Sequence, residues 1–121
     1  MSRDEVLYLE DIQICCEKIG RYASGLSLEQ FRSDEKTADA IVRNLEIIGE
    51  AGKHVSQATR DRLTNIESRK ITGLRDILAH AYFGIDEDII WDIVQHQVPS
   101  LLECIRRFLS PERSPSAGLL Q

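Results

Sequence analysis

From Val6 to Phe108 the apolar residues recur mostly at intervals of three and four, the spacing that lines them up along one side of an α-helix. Val6, Leu9, Ile12, Cys16, Ile19 and Ala23 form the first stripe and predict a helix over residues 3–24, stopped at Gly25. Ser27 with Gln30 has the spacing of a capping box for a short helical turn ending near Arg32. Ser33 or Asp34 can cap a second long helix running to about Val55, with Ala38, Ile41, Leu45, Ile48, Ala51 and Val55 on one face. Val42 and Ile47 widen that stripe, so this helix is expected to pack on two sides, and Gly49 and Ala51 let another backbone come close. Residues 56–67 are polar and predict a short helix and turn. A third long helix is expected over residues 68–82, its face built from Ile71, Leu74, Ile77, Leu78 and Ala81, with Gly84 ending it. Asp86 then reads as the N-cap of a last helix over 87–109, with Glu87 and Asp88 complementing the dipole of its first turn. Pro99 lies inside that helix and should kink it, because it lacks an N–H and crowds the preceding turn.

No strand pattern, internal repeat or glycine-rich phosphate loop interrupts this reading. The expected fold is all-α, a four-helix bundle with one or two short additional helices. Its single helical domain spans residues 1–109, and residues 110–121 are expected to form a flexible tail. At 121 residues the chain can bury one core but not two. Three prolines and seven glycines leave room for long helices. No apolar run approaches the ~20 residues that cross a bilayer, and Met1-Ser2-Arg3-Asp4-Glu5 lacks a signal-peptide core. No membrane association is expected, and the chain should stay in the cytoplasm. Cys15, Cys16 and Cys104 are odd in number and two are adjacent, which fits small buried apolar residues better than a disulfide framework or a zinc site.

Charge is distributed unevenly. The formal net charge of −5 argues against a general nucleic-acid binder. Residues 1–50 hold six Lys/Arg against eleven Asp/Glu, and residues 81–121 hold three against six. Residues 51–80 reverse the sign, with six against three, through Arg60, Arg62, Arg69, Lys70 and Arg75 among others. A patch that attracts phosphate on an acidic body and an ordinary solvated face are both compatible with this pattern.

The basic third surrounds the stretch with the densest chemistry, Leu74 to Asp86, reading LRDILAHAYFGID. Arg75 is permanently charged and can grip a phosphate with two parallel hydrogen bonds. His80 titrates near neutrality and can pass protons. Tyr82 offers a hydroxyl that can donate, accept or be modified. Asp76 and His80 are four apart and share a helical face, so the carboxylate can hold the ring in one tautomer. Arg75 and His80 are five apart, roughly 140° around a helix, so one unbroken helix does not aim both at one phosphate. Either the helix loosens near His80 or a second copy of the chain completes the site, and two-fold dimers are the commonest soluble oligomers. His54 and His96 have no neighbouring ligand pattern and read as plain surface histidines. No metal site or cofactor is expected.

Arg75-x4-His80-x-Tyr82 resembles the R-x4-H-x-Y motif of HEPN-domain toxins of the HepT type. Leu45-Glu46-Ile47-Ile48-Gly49-Glu50-Ala51 upstream, and Tyr82-Phe83-Gly84-Ile85-Asp86 followed by Trp91 downstream, are similar to that family as well, over about residues 4–109. Two positions depart from the pattern: Asp76 follows the arginine where some relatives carry Asn, and Ser68 stands near a position where several carry Trp. The resemblance implies a metal-independent endoribonuclease with Arg75 and His80 as catalytic residues at a homodimer interface. It also lifts Arg43, Asn44 and Glu50 from ordinary helix polarity to supporting residues beside the motif. It further implies a toxin–antitoxin pair, in which a minimal nucleotidyltransferase of the MntA type transfers AMP onto Tyr82. The chemistry expected of the residues agrees. RNA carries its own nucleophile in the 2′-OH, so cleavage needs a group that moves protons and a cation that stabilises the charge on phosphorus. The alternative is a non-catalytic helical module that binds a nucleotide or a nucleotidyltransferase, which the acidic net charge favours.

Overall fold

The computed structural model describes residues 2–63 and 87–113, with side chains as far as residue 110. All regular structure among the described residues is helical, as the periodicity predicts. Helix α1 spans Arg3–Ala23, α2 Leu28–Ser33, α3 Glu35–Lys53 and α4 Gln57–Arg62. The last helix, α5, is built from three consecutive pieces: an α-helical Glu87–Asp92, a π-helical Ile93–Gln97 and an α-helical Val98–Arg113. The helix expected over 68–82, the Asp86 cap and the tail beyond Arg113 lie outside the described residues. Helix α5 continues to Arg113, past the expected end at residue 109.

The helix starts are fixed by short polar side chains that satisfy otherwise orphaned backbone N–H groups. Ser2 with Glu5 and Ser27 with Gln30 form two capping boxes, the second at the predicted position. Asp34 caps α3 by accepting from the Thr37 N–H at 3.1 Å, which decides between the two candidates Ser33 and Asp34. Ser56 caps α4 through the Thr59 N–H. Gly25 takes φ +78°, a left-handed conformation that side chains rarely adopt, and so turns the chain out of α1.

The core lies chiefly between α1 and α3, with α5 packed onto α1. Leu9, Ile12 and Ile19 from α1 and Ile41, Leu45 and Ile48 from α3 have no solvent-exposed surface, and α5 adds Ile93 and Ile105. Cys15 and Cys16 are buried and Cys104 is partly buried, all three as free thiols. Helix α3 runs antiparallel to α1, because the start of α1 meets the end of α3: the Tyr8 and His54 rings stack 4.5 Å apart at 11°. Helix α5 is also antiparallel to α1, since its start meets α2, directly after the end of α1, through Trp91 and Phe31, while Arg106 near its end pairs with Glu17 at 2.8 Å. His54 is exposed as expected, but its stack on Tyr8 makes it a contact between α1 and α3 rather than an idle surface residue.

Immediately before Pro99, α5 departs from α-helical geometry through a π turn. The Val98 N–H reaches back to the Ile93 carbonyl, five residues away, in the widened turn immediately before the proline. Proline removes one donor and its ring crowds the carbonyl four residues earlier, and a π turn gives that ring room.

Glu5 ties the two ends of this arrangement together. Its carboxylate accepts from the Ser2 N–H at 3.2 Å, from the Ser56 N–H at 2.7 Å and from the Thr59 hydroxyl at 3.0 Å. It therefore completes the cap of α1 and clamps the start of α4, fifty-one residues away in sequence. The hydrogen bonds from Ser56, and then from Ser2 and Thr59, pull its pKa down from 4.5 to about 2. A carboxylate whose folded-state pKa is depressed contributes stability that is complete above its unfolded value and is lost as pH falls through the folded one. The wild-type melting temperature should therefore fall between pH 5 and pH 2 more steeply than that of Glu5→Gln, which should also be the less stable protein at pH 7. Parallel melting curves for the two proteins across this range would contradict the clamp.

Candidate functional site

The two flanks of the Leu74–Asp86 stretch are anchored at opposite ends of the α1–α3 pair. On the upstream side, Leu63 is buried directly after α4, and α4 is held to the start of α1 by Glu5. The Arg62 guanidinium lies 4.7 Å from the centroid of the Phe108 ring, near the end of α5. On the downstream side, α5 begins against α2, which follows the end of α1. The Arg32 Nε stands 3.6 Å from Glu87, its Nη2 donates to Asp88, and the Phe31 and Trp91 rings pack 5.1 Å apart. Trp91, one of the residues that carried the resemblance, is thus a partly buried anchor at the α5 start. Arg75, Asp76, His80 and Tyr82 themselves lie outside the described residues.

The three supporting candidates on α3 do not share one environment. Arg43 and Glu50 are seven residues apart, nearly in line on a helix, and both are exposed. Arg43 reaches Glu46 at 3.5 Å, and Glu50 accepts from Lys53 at 3.4 Å. Exposed pairs of this kind are worth only ~0.3–0.5 kcal/mol, so they hold these side chains loosely. Asn44 points the other way. It is 7% exposed, and its amide donates to the Ala40 carbonyl one turn back at 2.8 Å. Together with Thr59 it is one of two buried polar residues among those described. A buried amide that spends a donor on its own helix keeps a carbonyl oxygen for a neighbour.

Two further features were not singled out in the sequence. The first is an open groove of about 690 Å³ between α1 and α5, lined by Cys16, Glu17, Gly20, Arg21, Leu102 and Arg106. Its thiol is not a reactive one: burial pushes Cys16 up to about 12, so it stays protonated at neutral pH. The second is the pairing of Arg62 with Phe108, which joins residues forty-six positions apart and could not be read from local spacing. Among the described helices none is long and apolar enough to cross a membrane.

Comparison with known proteins supports one family throughout. A family model described as ribonuclease HepT-like matches residues 12–108, a span that contains α3, the Arg75-x4-His80-x-Tyr82 stretch and most of α5. A protein of Caldanaerobacter subterraneus subsp. tengcongensis, named as a candidate RNase, is 37% identical over 106 residues, covering 88% of this chain and 95% of its own. A protein of Thermococcus cleftensis, named as a candidate ribonuclease HepT, is 40% identical over 101 residues, covering 84% of this chain and 92% of its own. A candidate RNase of Methanocaldococcus jannaschii is 33% identical over 100 residues, covering 83% and 92%. No solved structure gives a significant match. With a family model spanning most of the chain and relatives aligned over nearly their full lengths, this chain belongs to the ribonuclease HepT-like family.

Proposed function

We propose that this chain is a metal-independent endoribonuclease, the toxin of a toxin–antitoxin pair, acting through Arg75 and His80. The observation that carries the proposal is the family match across residues 12–108, inside which the two residues stand at the R-x4-H spacing. In the proposed reaction His80 accepts the proton of a ribose 2′-OH while the 2′-oxygen attacks the adjacent phosphorus. The bond from phosphorus to the 5′-oxygen breaks, and that oxygen takes a proton. The products are a 2′,3′-cyclic phosphate and a free 5′-OH, with no net change in protons. Arg75 neutralises the charge that builds on the phosphoryl oxygens. Asp76 would orient the His80 ring, and Asn44, with Arg43 and Glu50, would support the motif from α3.

A second copy of the chain is proposed to complete the site, since a five-residue spacing would set Arg75 and His80 well apart around a single unbroken helix. Tyr82 is proposed as the acceptor of AMP from a nucleotidyltransferase antitoxin of the MntA type. Each AMP would add a negative phosphodiester seven residues from Arg75 in sequence, where it would compete with RNA for that charge.

Purified protein should cleave RNA in the presence of EDTA. Loss of a general acid–base group typically costs ~10²–10⁴-fold in rate, and His80→Ala should lose activity on this scale. Arg75→Ala should lose ~10²–10³-fold, the usual cost of a missing charge stabiliser. Both variants should keep the wild-type helicity and melting temperature. Cleavage that survives His80→Ala, or that EDTA abolishes, would sink the mechanism.

Light scattering at micromolar concentration should give the mass of a dimer, and a stable monomer would count against a shared site. Incubation with the partner nucleotidyltransferase and ATP should raise the mass of the chain by whole AMP units. Tyr82→Phe should block the addition while leaving the fold intact. Cleavage should decline as the label accumulates, more steeply at low salt, where the added charge is least screened. Labelling that maps to Tyr8 or Tyr22 would rule out Tyr82 as the switch.

A further inference from the structure

Helix α1 turns one side into the core through Leu9, Ile12, Cys16 and Ile19, and the opposite side outward. On the outward side Asp4, Leu7, Asp11, Ile14, Lys18 and Arg21 follow one another at alternating steps of three and four. At about 100° per residue these positions fall within about 100° of arc, so they form one strip along the helix. The outward sides of the other long helices are different. Every exposed position of α3 carries a charge, from Glu35 to Lys53. Helix α5 exposes one large apolar side chain, Ile89 at 45%. Helix α1 exposes three: Leu7 at 50%, Ile14 at 49% and Tyr22 at 38%. Leu7 and Ile14 lie nearly in line, and Tyr22 flanks the strip beside Arg21. Apolar residues scattered singly on a surface need no explanation, but an aligned pair on an otherwise charged strip does.

The charges on the strip are segregated. Asp4 and Asp11 occupy its first half and Lys18 and Arg21 its second, and none of the four makes an ion pair with a described residue. The helix dipole favours acids in the first turn and bases in the last, which accounts for Asp4 and Arg21. It does not account for Asp11 and Lys18, more than a turn from either end, or for the aliphatic residues between them. Such a strip complements its own reverse. Two α1 helices related by a two-fold axis near Ile14 run antiparallel, and the acidic half of each meets the basic half of the other. Asp11 then faces Lys18 of the other copy and Asp4 faces Arg21. Leu7, Ile14 and the aliphatic stems of Lys18 and Arg21 close the space between. A parallel pair would set like charges together.

We infer that the outward strip of α1 is a self-association surface, on which a second copy of this chain docks antiparallel about Ile14. The contact goes beyond the ribonuclease reading, because it is built from α1 alone and uses no residue of the Leu74–Asp86 stretch.

The test is sedimentation equilibrium of the full chain across the micromolar range, with circular dichroism and melting curves to confirm that each variant is folded. Leu7→Glu/Ile14→Glu leaves the core side of α1 untouched and should weaken association about a hundredfold or more, because each copy loses two apolar contacts and gains two charges. Its mass should be half that of wild type where wild type is assembled. Asp11→Lys should weaken association about tenfold by setting lysine against lysine, and more so at low salt. Asp11→Lys/Lys18→Asp reverses the polarity in both copies and should restore most of the affinity. A role within one chain would not predict that rescue, since the two residues stand seven apart, about 10 Å along the helix.

A wild-type monomer throughout this range would overturn both the α1 contact and the shared catalytic site. An assembly whose mass the double Glu variant leaves unchanged overturns the α1 contact and leaves the shared site standing. In a folded protein, weakening by Asp11→Lys that the charge exchange fails to rescue overturns the antiparallel arrangement. Halving from four copies to two supports the α1 contact as separate from the one at the motif. Halving from two copies to one supports it as the dimer contact, and RNA cleavage by that monomer at the wild-type rate would then remove the shared site alone.

Discussion

Everything else in this chain depends on the aliphatic seam between α1 and α3. Full burial of a leucine or isoleucine side chain is worth ~1.5–3 kcal/mol, and six such residues meet there with no exposed surface. Helices α2 and α4 have six residues each, too short to persist alone in water. They hold their shape because side-chain caps start them and the seam gives them something to dock on. Phe31 buries α2 against the core, and Glu5 ties α4 to the first turn of α1. A change that loosened the seam would therefore act first on these short helices, and through them on both flanks of the motif.

Much of this was legible in the sequence because it is local. The stripes of α1, α3 and α5, the Ser27–Gln30 box and the Gly25 turn all follow from residue type and from spacing within a few positions. What the sequence could not show depends on which ends of helices meet. The Tyr8–His54 stack, the reach of Glu5 to Ser56 and the Arg62–Phe108 pair each join residues more than forty positions apart. The candidate site divides along the same line. Arg75, His80 and Tyr82 could be named as candidates from their types and spacing, and the family match spans their positions. The supporting trio on α3 could be named as polar residues, but only the helix itself separates them, with Asn44 turned inward and Arg43 and Glu50 left at the surface.

The electrostatics are sorted more finely than a net charge of −5 suggests. Acidic residues at the start of α5 are drawn to Arg32, which secures the downstream flank. Near the end of the same helix, Arg106 and Arg107 are taken up by Glu17 and Glu103. Arg3 and Arg21 on α1 and Arg60 and Arg62 on α4 make no ion pair with a described carboxylate, so pairing is concentrated on the last helix and on α3 rather than spread evenly along the chain.

The π turn before Pro99 has a consequence for phase. Ile90 and Leu109 are nineteen residues apart, and at about 100° per residue an unbroken α-helix would set them about 100° apart. Both are nonetheless buried, at 5% and 3% exposure. One extra residue in a turn sets the upstream half back by about one residue's rotation, which returns the two to a common side. The proline thus acts as a timing device in the helix. Its widened turn lets Trp91 meet α2 at one end while Phe108 meets α4 at the other. Helix α5 is consequently indexed by its residue count between Asp92 and Val98, where a single insertion or deletion would rotate one flank of the motif away from its anchor.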